Sequence, residues 1–167
     1  QPIKGTSPRF PADPEADALA ASTLRNSVKE QRENVMVVDL VRNDLSRVCV
    51  PGSVRVSELF GIYAFPQVFQ MISTVVGIRQ SGINWVDVVE ATFPMGSMTG
   101  APKVRVMELI EQYETMPRGL FSGTIGYITP EGNADFNVVI RSLFYHARQQ
   151  QLEYFVGSGI TAYCDPQ

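Results

Sequence analysis

Several residues in this chain have types and spacings that could do chemistry, and each also has an ordinary structural reading. Glu30 and Glu33 stand at i and i+3 in a stretch of helical periodicity, so they share one face, which continues as Val37 and Leu40. Carboxylates on an inward stripe repel each other and resist burial. They read either as a solvated helix end paired with Lys29 or Arg32, or as half of a hard-cation site. Mg2+ suits the second reading, because it takes one or two carboxylates and keeps waters for its substrate. Arg141 shares a predicted strand face with Val139 and Leu143. It reads as an edge arginine reaching for water, or as a planar fork for a substrate carboxylate. The segment "GSMTGAPK" (Gly96 to Lys103) feeds a helix N-terminus, where backbone N–H groups can hold an anion. It is not a P-loop, since Pro102 precedes Lys103 and Val104 follows it; a helix-capping turn is the simpler reading. Gly157 and Gly159 in "GSGI" would let backbone approach a ligand, or would simply make a tight turn. Lys4, in "PIKGT", reads by itself as a surface lysine. His146 is the sole histidine and falls in a polar turn, so neither a Ser-His-Asp site nor a Cys/His zinc site can be assembled.

The elements that must position these residues follow from local signals. "GTSPRFPADPEA" reads as an extended loop. Asp13-Pro14-Glu15 then reads as a helix start, with Asp as N-cap and Pro in the first turn, and the helix runs to about Val28. A second helix spans about Glu30 to Val48, with Arg32, Asp39, Asn43 and Ser46 as its polar stripe. "PGSVRVSEL" holds a turn and a short strand, and Gln67 to Gly77 has strand propensity throughout. "NWVDVVEATF" and "GAPKVRVMELIEQYE" read as helices, the latter with Val106, Leu109, Ile110 and Tyr113 on one face. The last third reads as a β-meander. In it "GLFSGTIGYIT" turns at "PEGN" into one long strand, "ADFNVVIRSLFY", and a "HARQQQ" turn leads to "LEYFVGSGIT". The class is mixed α+β, with helices early and antiparallel strands late.

Composition narrows the function classes. The 167 residues are 44% hydrophobic and 19% charged, an ordinary globular balance with room for a core. A net charge of −3 without a Lys/Arg cluster speaks against nucleic acid as a partner. No apolar run approaches membrane-spanning length. Cys49 and Cys164 are far apart and read as free thiols in a reducing, cytoplasmic setting, or else as one structural disulfide. Both ends read as cuts through a longer chain.

In order along the chain stand "PIKGT", "KEQRENVMVVDLVRNDLSRV", "PGSVRV", "FPMGSMTGAPKVRVMELI", "GLFSGTIGYI", "NVVIRSL" and "GSGIT". This series resembles the catalytic half of the chorismate-utilising enzymes, and the likeness covers nearly all residues from 1 to 167. The resemblance implies part of a two-layer α/β sandwich, with large antiparallel sheets flanked by helices. It implies a chorismate-binding catalytic domain over residues 1–167, as the C-terminal part of a longer chain. By the same resemblance Glu33 is a Mg2+ ligand and Glu30 lies beside the metal, directly or through water. Arg141 holds the carboxylate of the enolpyruvyl side chain. Gly157 and Gly159 offer backbone N–H groups, and Ser97 and Phe121 match substrate-contacting positions. A further Mg2+ ligand belongs to an "E-x-x-E" helix expected beyond "CDPQ", and a general-acid glutamate is expected upstream.

Lys4 selects among the reactions of that family. The resemblance makes it a nucleophile in members that aminate chorismate at C4, with Gly5 and Thr6 beside it at the substrate. An amine attacks only when neutral, and a fixed loop keeps it aimed. The ammonia is then expected from a glutamine amidotransferase subunit. Gln70 stands where relatives usually carry histidine, which weakens an anthranilate-forming reading, since glutamine cannot relay a proton. Anthranilate, salicylate or isochorismate formation, and a non-catalytic ligand-binding fragment, are the alternative readings.

Overall fold

The computed structural model describes residues 1–160. They form two compact units, Gln1–Tyr113 and a second that begins at Glu114.

The first unit is a three-stranded antiparallel sheet with two helices packed on it. Its strands are β1 (Ile3–Pro8), β2 (Arg55–Ala64) and β3 (Val68–Val76), in the order β1-β3-β2. Helices α1 (Pro14–Asn26) and α2 (Val28–Ser46) both contact all three strands. Local chemistry sets their ends. Asp13 accepts hydrogen bonds from the N–H groups of Glu15 and Ala16, and Pro14 opens α1, as expected. Ser27 closes α1 through its N–H to the Leu24 carbonyl and opens α2 by accepting from the Glu30 N–H. One serine therefore bends the chain between two helices.

Leu24 of α1 packs with Phe69 and Met71 of β3, and Ala20, Ala21, Phe60 and Ile62 close around them. Phe69, Met71 and Ser73 alternate along β3, so they face the same side. Ser73 meets Asn34 of α2 there, which puts both helices on one face of the sheet. The polar stripe expected on α2 is exposed at Arg32, Asp39, Asn43 and Ser46, while Val37 and Val38 are buried. Helix α3 (Trp85–Thr92) starts in a capping box between Asn84 and Asp87. A 3₁₀ turn (Gly96–Met98) leads to α4 (Lys103–Tyr113).

Two expectations differ in this unit. The short strand expected within "PGSVRVSEL" is the ten-residue β2, which runs on to Ala64. The segment read as an extended loop from Gly5 begins inside β1, which pairs with β3 from Ile3↔Ile72 to Pro8↔Val68. Its proline and glycine obscure the strand, but both fit an edge: Pro8 ends the ladder, and Gly5 sits in a bulge.

In the second unit β4 (Thr124–Ile128) pairs with β5 (Ala134–Val138), and β6 (Leu143–His146) with β7 (Gln151–Tyr154), all antiparallel. The "PEGN" turn forms as expected, with Gly132 at φ +87 closing onto Thr129. The long strand expected through "ADFNVVIRSLFY" does not form. Ile140 N–H donates back to the Val138 carbonyl, a tight turn about Val139, and Arg141 follows at φ +53. Two short strands result, and the predicted strand face of Arg141 with Val139 and Leu143 is lost. The strand expected through "LEYFVGSGIT" ends at Tyr154. His146 is exposed beside Glu153 at 3.3 Å, in agreement with a surface role. Among the described residues no helix is long and apolar enough to cross a membrane. Cys49 is a buried free thiol whose pKa burial pushes up; Cys164 and Thr161 lie outside the described residues.

Candidate active site

Lys4 lies in a bulge of the edge strand. Between Ile3↔Ile72 and Thr6↔Gln70, β1 spends one residue more than β3. Gly5 takes up the excess at φ +100, a conformation that a side chain resists. It is also crowded, because a Cβ there would lie 3.1 Å from Glu30 Cβ, 3.2 Å from Leu24 Cδ1 and 3.2 Å from Met71 Cβ. The Lys4–Gly5 peptide thus lies against the first turns of α2, and Glu30 is its neighbour although it is far away in sequence. Lys4 itself is half-buried.

Glu30 and Glu33 are partly buried, and Lys29 bridges them, with its Nζ 3.2 Å from Glu30 Oε1 and 3.7 Å from Glu33 Oε1. The pairing with Lys29 that the sequence allowed is therefore present. The partial burial of the two carboxylates goes beyond a freely solvated helix end. Lys29 is two-thirds exposed and can swing into water. Among the described residues no cluster of three or more His, Cys, Asp or Glu side chains could hold a metal. Two carboxylates on one helix face still fit Mg2+, whose coordination leaves places for water and substrate oxygens.

Thr6 hydroxyl donates to Gln70 Oε1 at 3.1 Å across the β1–β3 ladder. The amide that stands where relatives usually carry histidine is thus engaged through its oxygen.

Ser97 is half-buried in the 3₁₀ turn. That turn docks on α2, since a Cβ on Gly96 would come within 2.8 Å of Leu40 Cδ1. A second tie was not anticipated from the sequence. Lys103, at the end of the "GSMTGAPK" segment, pairs with Asp44 of α2 at 2.6 Å, and Asp44 is almost wholly buried. Lys103 is therefore committed to the protein, and the segment is fixed to the glutamate helix at two points. Asp44 falls four residues after Leu40, so helical periodicity placed it on the inner face, but nothing local named its partner.

In the second unit Phe121 stacks on Phe155, with centroids 5.5 Å apart and planes at 16°; Phe155 meets Phe144 edge-on. A Cβ on Gly157 would lie 3.8 Å from Phe121 Cζ, so these two predicted site residues are neighbours. Gly157, Gly159 and Arg141 are exposed. The structure thus gathers Lys4, Gly5, Thr6, Glu30 and Glu33 around the β1–α2 junction in one unit, and Phe121 and Gly157 in the other.

Comparison with known proteins identifies the family of the chain. A family model described as chorismate binding enzyme matches residues 1–167. The aminodeoxychorismate synthase component 1 of Klebsiella aerogenes is 49% identical over 162 residues, covering 97% of this chain and 35% of that protein. The anthranilate synthase component 1 of Saccharolobus solfataricus is 41% identical over 166 residues, covering 99% of this chain and 39% of that protein. The crystal structure of anthranilate synthase component I from Streptococcus pneumoniae superposes with a TM-score of 0.69 at 33% identity, over 85% of this chain and 33% of its own. The chain spans 35% and 39% of the length of these two curated relatives. With the whole chain matched and the mixed α+β fold shared, the chain belongs to the chorismate binding enzyme family.

Proposed function

We propose that this chain is the catalytic part of an aminodeoxychorismate synthase component I, which converts chorismate and ammonia to 4-amino-4-deoxychorismate, a precursor of p-aminobenzoate and folate. The observation that carries this reading is Lys4 in a glycine-stabilised bulge against Glu30. A solvated loop lysine would need no such bulge; an aimed amine would.

The Lys4 amine adds to ring C2 of chorismate. The two ring double bonds shift, and the C4 hydroxyl leaves as water after taking a proton from a general acid elsewhere in the full-length protein. Ammonia then adds at C4, the double bonds shift back, and Lys4 is released from C2. One ammonia enters, one water leaves, and the lysine is regenerated. Arg141 would pair with the enolpyruvyl carboxylate and Gly157 and Gly159 would donate backbone N–H groups. Gly5, Thr6, Ser97 and Phe121 would line the substrate. Glu33 and Glu30 would hold Mg2+, which when bound neutralises a substrate carboxylate.

The relatives named component 1 support a separate partner, which we take to be a glutamine amidotransferase supplying ammonia. The buried free thiol of Cys49 suits a reducing compartment such as the cytoplasm. Anthranilate formation is the second reading, favoured by the identity to anthranilate synthases. Gln70, its oxygen engaged by Thr6, cannot shuttle the proton that a pyruvate elimination calls for.

The test is turnover of the full-length protein with chorismate, Mg2+ and ammonia, with the product identified by mass. The expected product is 4-amino-4-deoxychorismate, and Lys4→Ala abolishes or severely reduces it. Anthranilate or salicylate as the product, or near-normal turnover by Lys4→Ala, would overturn the assignment.

A further inference from the structure

Two irregular strands flank β3, and one buried polar pair holds both. On one side is the Lys4–Gly5 bulge of β1. On the other, β2 shifts register between Val56 and Gly61, and Phe60 adopts φ +59, a costly conformation for a large side chain. Asn34 of α2 and Ser73 of β3 lie between them, and both are wholly inaccessible to solvent.

Their hydrogen bonds form one chain. Asn34 Nδ2 donates to the Lys4 carbonyl at 3.5 Å and to the Met71 carbonyl at 3.4 Å. Ser73 Oγ donates to Asn34 Oδ1 at 2.5 Å, and accepts from the Phe60 N–H at 3.1 Å. Ser73 N–H donates to the Pro2 carbonyl at 2.9 Å. Both amide hydrogens of Asn34 and its oxygen are therefore used. In such a dry place an unpaired polar group is costly, so the amide has one satisfactory orientation. A bulge changes where a side chain points, and the plane of its peptide decides the direction. Asn34 holds that peptide by the carbonyl of Lys4 itself.

We propose that the Asn34–Ser73 pair is a positioning device for Lys4. Asn34 fixes the Lys4 peptide, and Ser73 ties that amide to the Phe60 bulge across β3. Both residues act through Lys4. The proposal rests on the reading of Lys4 as the nucleophile, and its test separates the two.

The experiment uses the full-length protein with chorismate, Mg2+ and ammonia. Asn34→Ala lowers kcat about 10- to 100-fold, as expected for a nucleophile misplaced by about an ångström, and leaves KM within about 2-fold. Ser73→Ala, which deletes one hydroxyl and leaves the Asn34 bond to the Lys4 carbonyl in place, lowers kcat in the same sense by a smaller factor. In a Lys4→Ala background either substitution leaves the residual rate unchanged, because the group it positions is gone. Equal loss in both backgrounds would show a merely structural role and overturn the proposal. Full turnover by Lys4→Ala alone would defeat the nucleophile reading. Positioning is then read from acetylation of Lys4 by acetic anhydride, followed by peptide mass relative to Lys29. A changed Lys4 rate in Ser73→Ala supports the device, and an unchanged rate overturns it.

Discussion

Between Gln1 and Tyr113 the buried side chains include Leu24, Asn34, Val37, Val38, Asp44, Phe69, Met71 and Ser73, and they join two helices to a sheet. From Glu114 to Ile160 only Ser122 is buried among the described residues, while Ile125, Tyr127, Leu143, Tyr145, Leu152 and Tyr154 are exposed. Both regions carry candidate site residues but hold them differently. Lys4 and Glu30 are set by packing, by a bulge and by buried hydrogen bonds. Phe121 and Gly157 are held by one aromatic stack and their mutual contact, and Arg141 stands exposed after a tight turn. Substitutions near the first set should therefore act on stability and rate together. Those near the second should act on substrate binding alone.

The largest effect is expected at the buried pair that fixes the "GSMTGAPK" segment to α2. Asp44→Ala leaves Lys103 charged and without its partner in a mostly buried place, at a cost of about 3–5 kcal/mol in urea unfolding of the full-length protein. Replacing both residues together, Asp44→Leu with Lys103→Met, should recover most of that loss. Recovery that fails would mean that the pair does more than neutralise itself.

Gly5→Val comes next. It meets three groups at 3.1–3.2 Å in a positive-φ conformation, so about 2–3 kcal/mol of stability and most of the turnover should go together. Retained activity would show that the bulge does not aim Lys4.

Gly157→Ala makes the opposite case. Its added Cβ finds only ordinary contact with Phe121 at 3.8 Å, so the melting temperature should hold. KM for chorismate should rise by about 10-fold if backbone approaches the substrate there. An unchanged KM would remove Gly157 from the site.

The smallest effect concerns pH. Arg9 forms a forked ion pair with Asp17 at 2.8 Å and, together with the Phe10 N–H, holds the Asp17 carboxyl below its usual 3.8. A depressed folded-state value means that the stabilisation is fully present well above pH 3.8 and is lost as pH falls through the lower folded value. In the wild type that loss adds to acid unfolding of the first unit. Asp17→Asn should flatten the pH dependence of stability in that acid window and leave its shape near neutrality unchanged.

The sequence made legible whatever local chemistry determines. Asp13, Ser27 and Asn84 cap helices, Gly132 closes a turn, and the exposed stripe of α2 falls where periodicity puts it. Strand β1 was hidden because its evidence is a partner more than sixty residues away. Arg141 was placed on a continuous strand because alternation does not reveal a turn about Val139. Asn34 and Asp44 were passed over for a related reason. Each looks like a polar interruption of an apolar helix until its partner, the Met71 carbonyl of β3 or the Lys103 amine of α4, is in place, and Asp44 Oδ1 stays buried without a hydrogen bond. Of the candidate site, the acidic pair and the lysine were visible as residue types, but their adjacency was not.

If Lys4 is the nucleophile, it forms a covalent bond to the ring of chorismate during turnover. The most direct measurement incubates the full-length protein with chorismate and Mg2+ while withholding ammonia and glutamine, then digests it and weighs the peptide that carries Lys4. This peptide should gain the mass of chorismate less one water, Lys4→Arg should prevent the gain, and added ammonia should remove it and release 4-amino-4-deoxychorismate. An unmodified Lys4 peptide throughout, together with undiminished product formation by Lys4→Ala, would contradict the nucleophile reading.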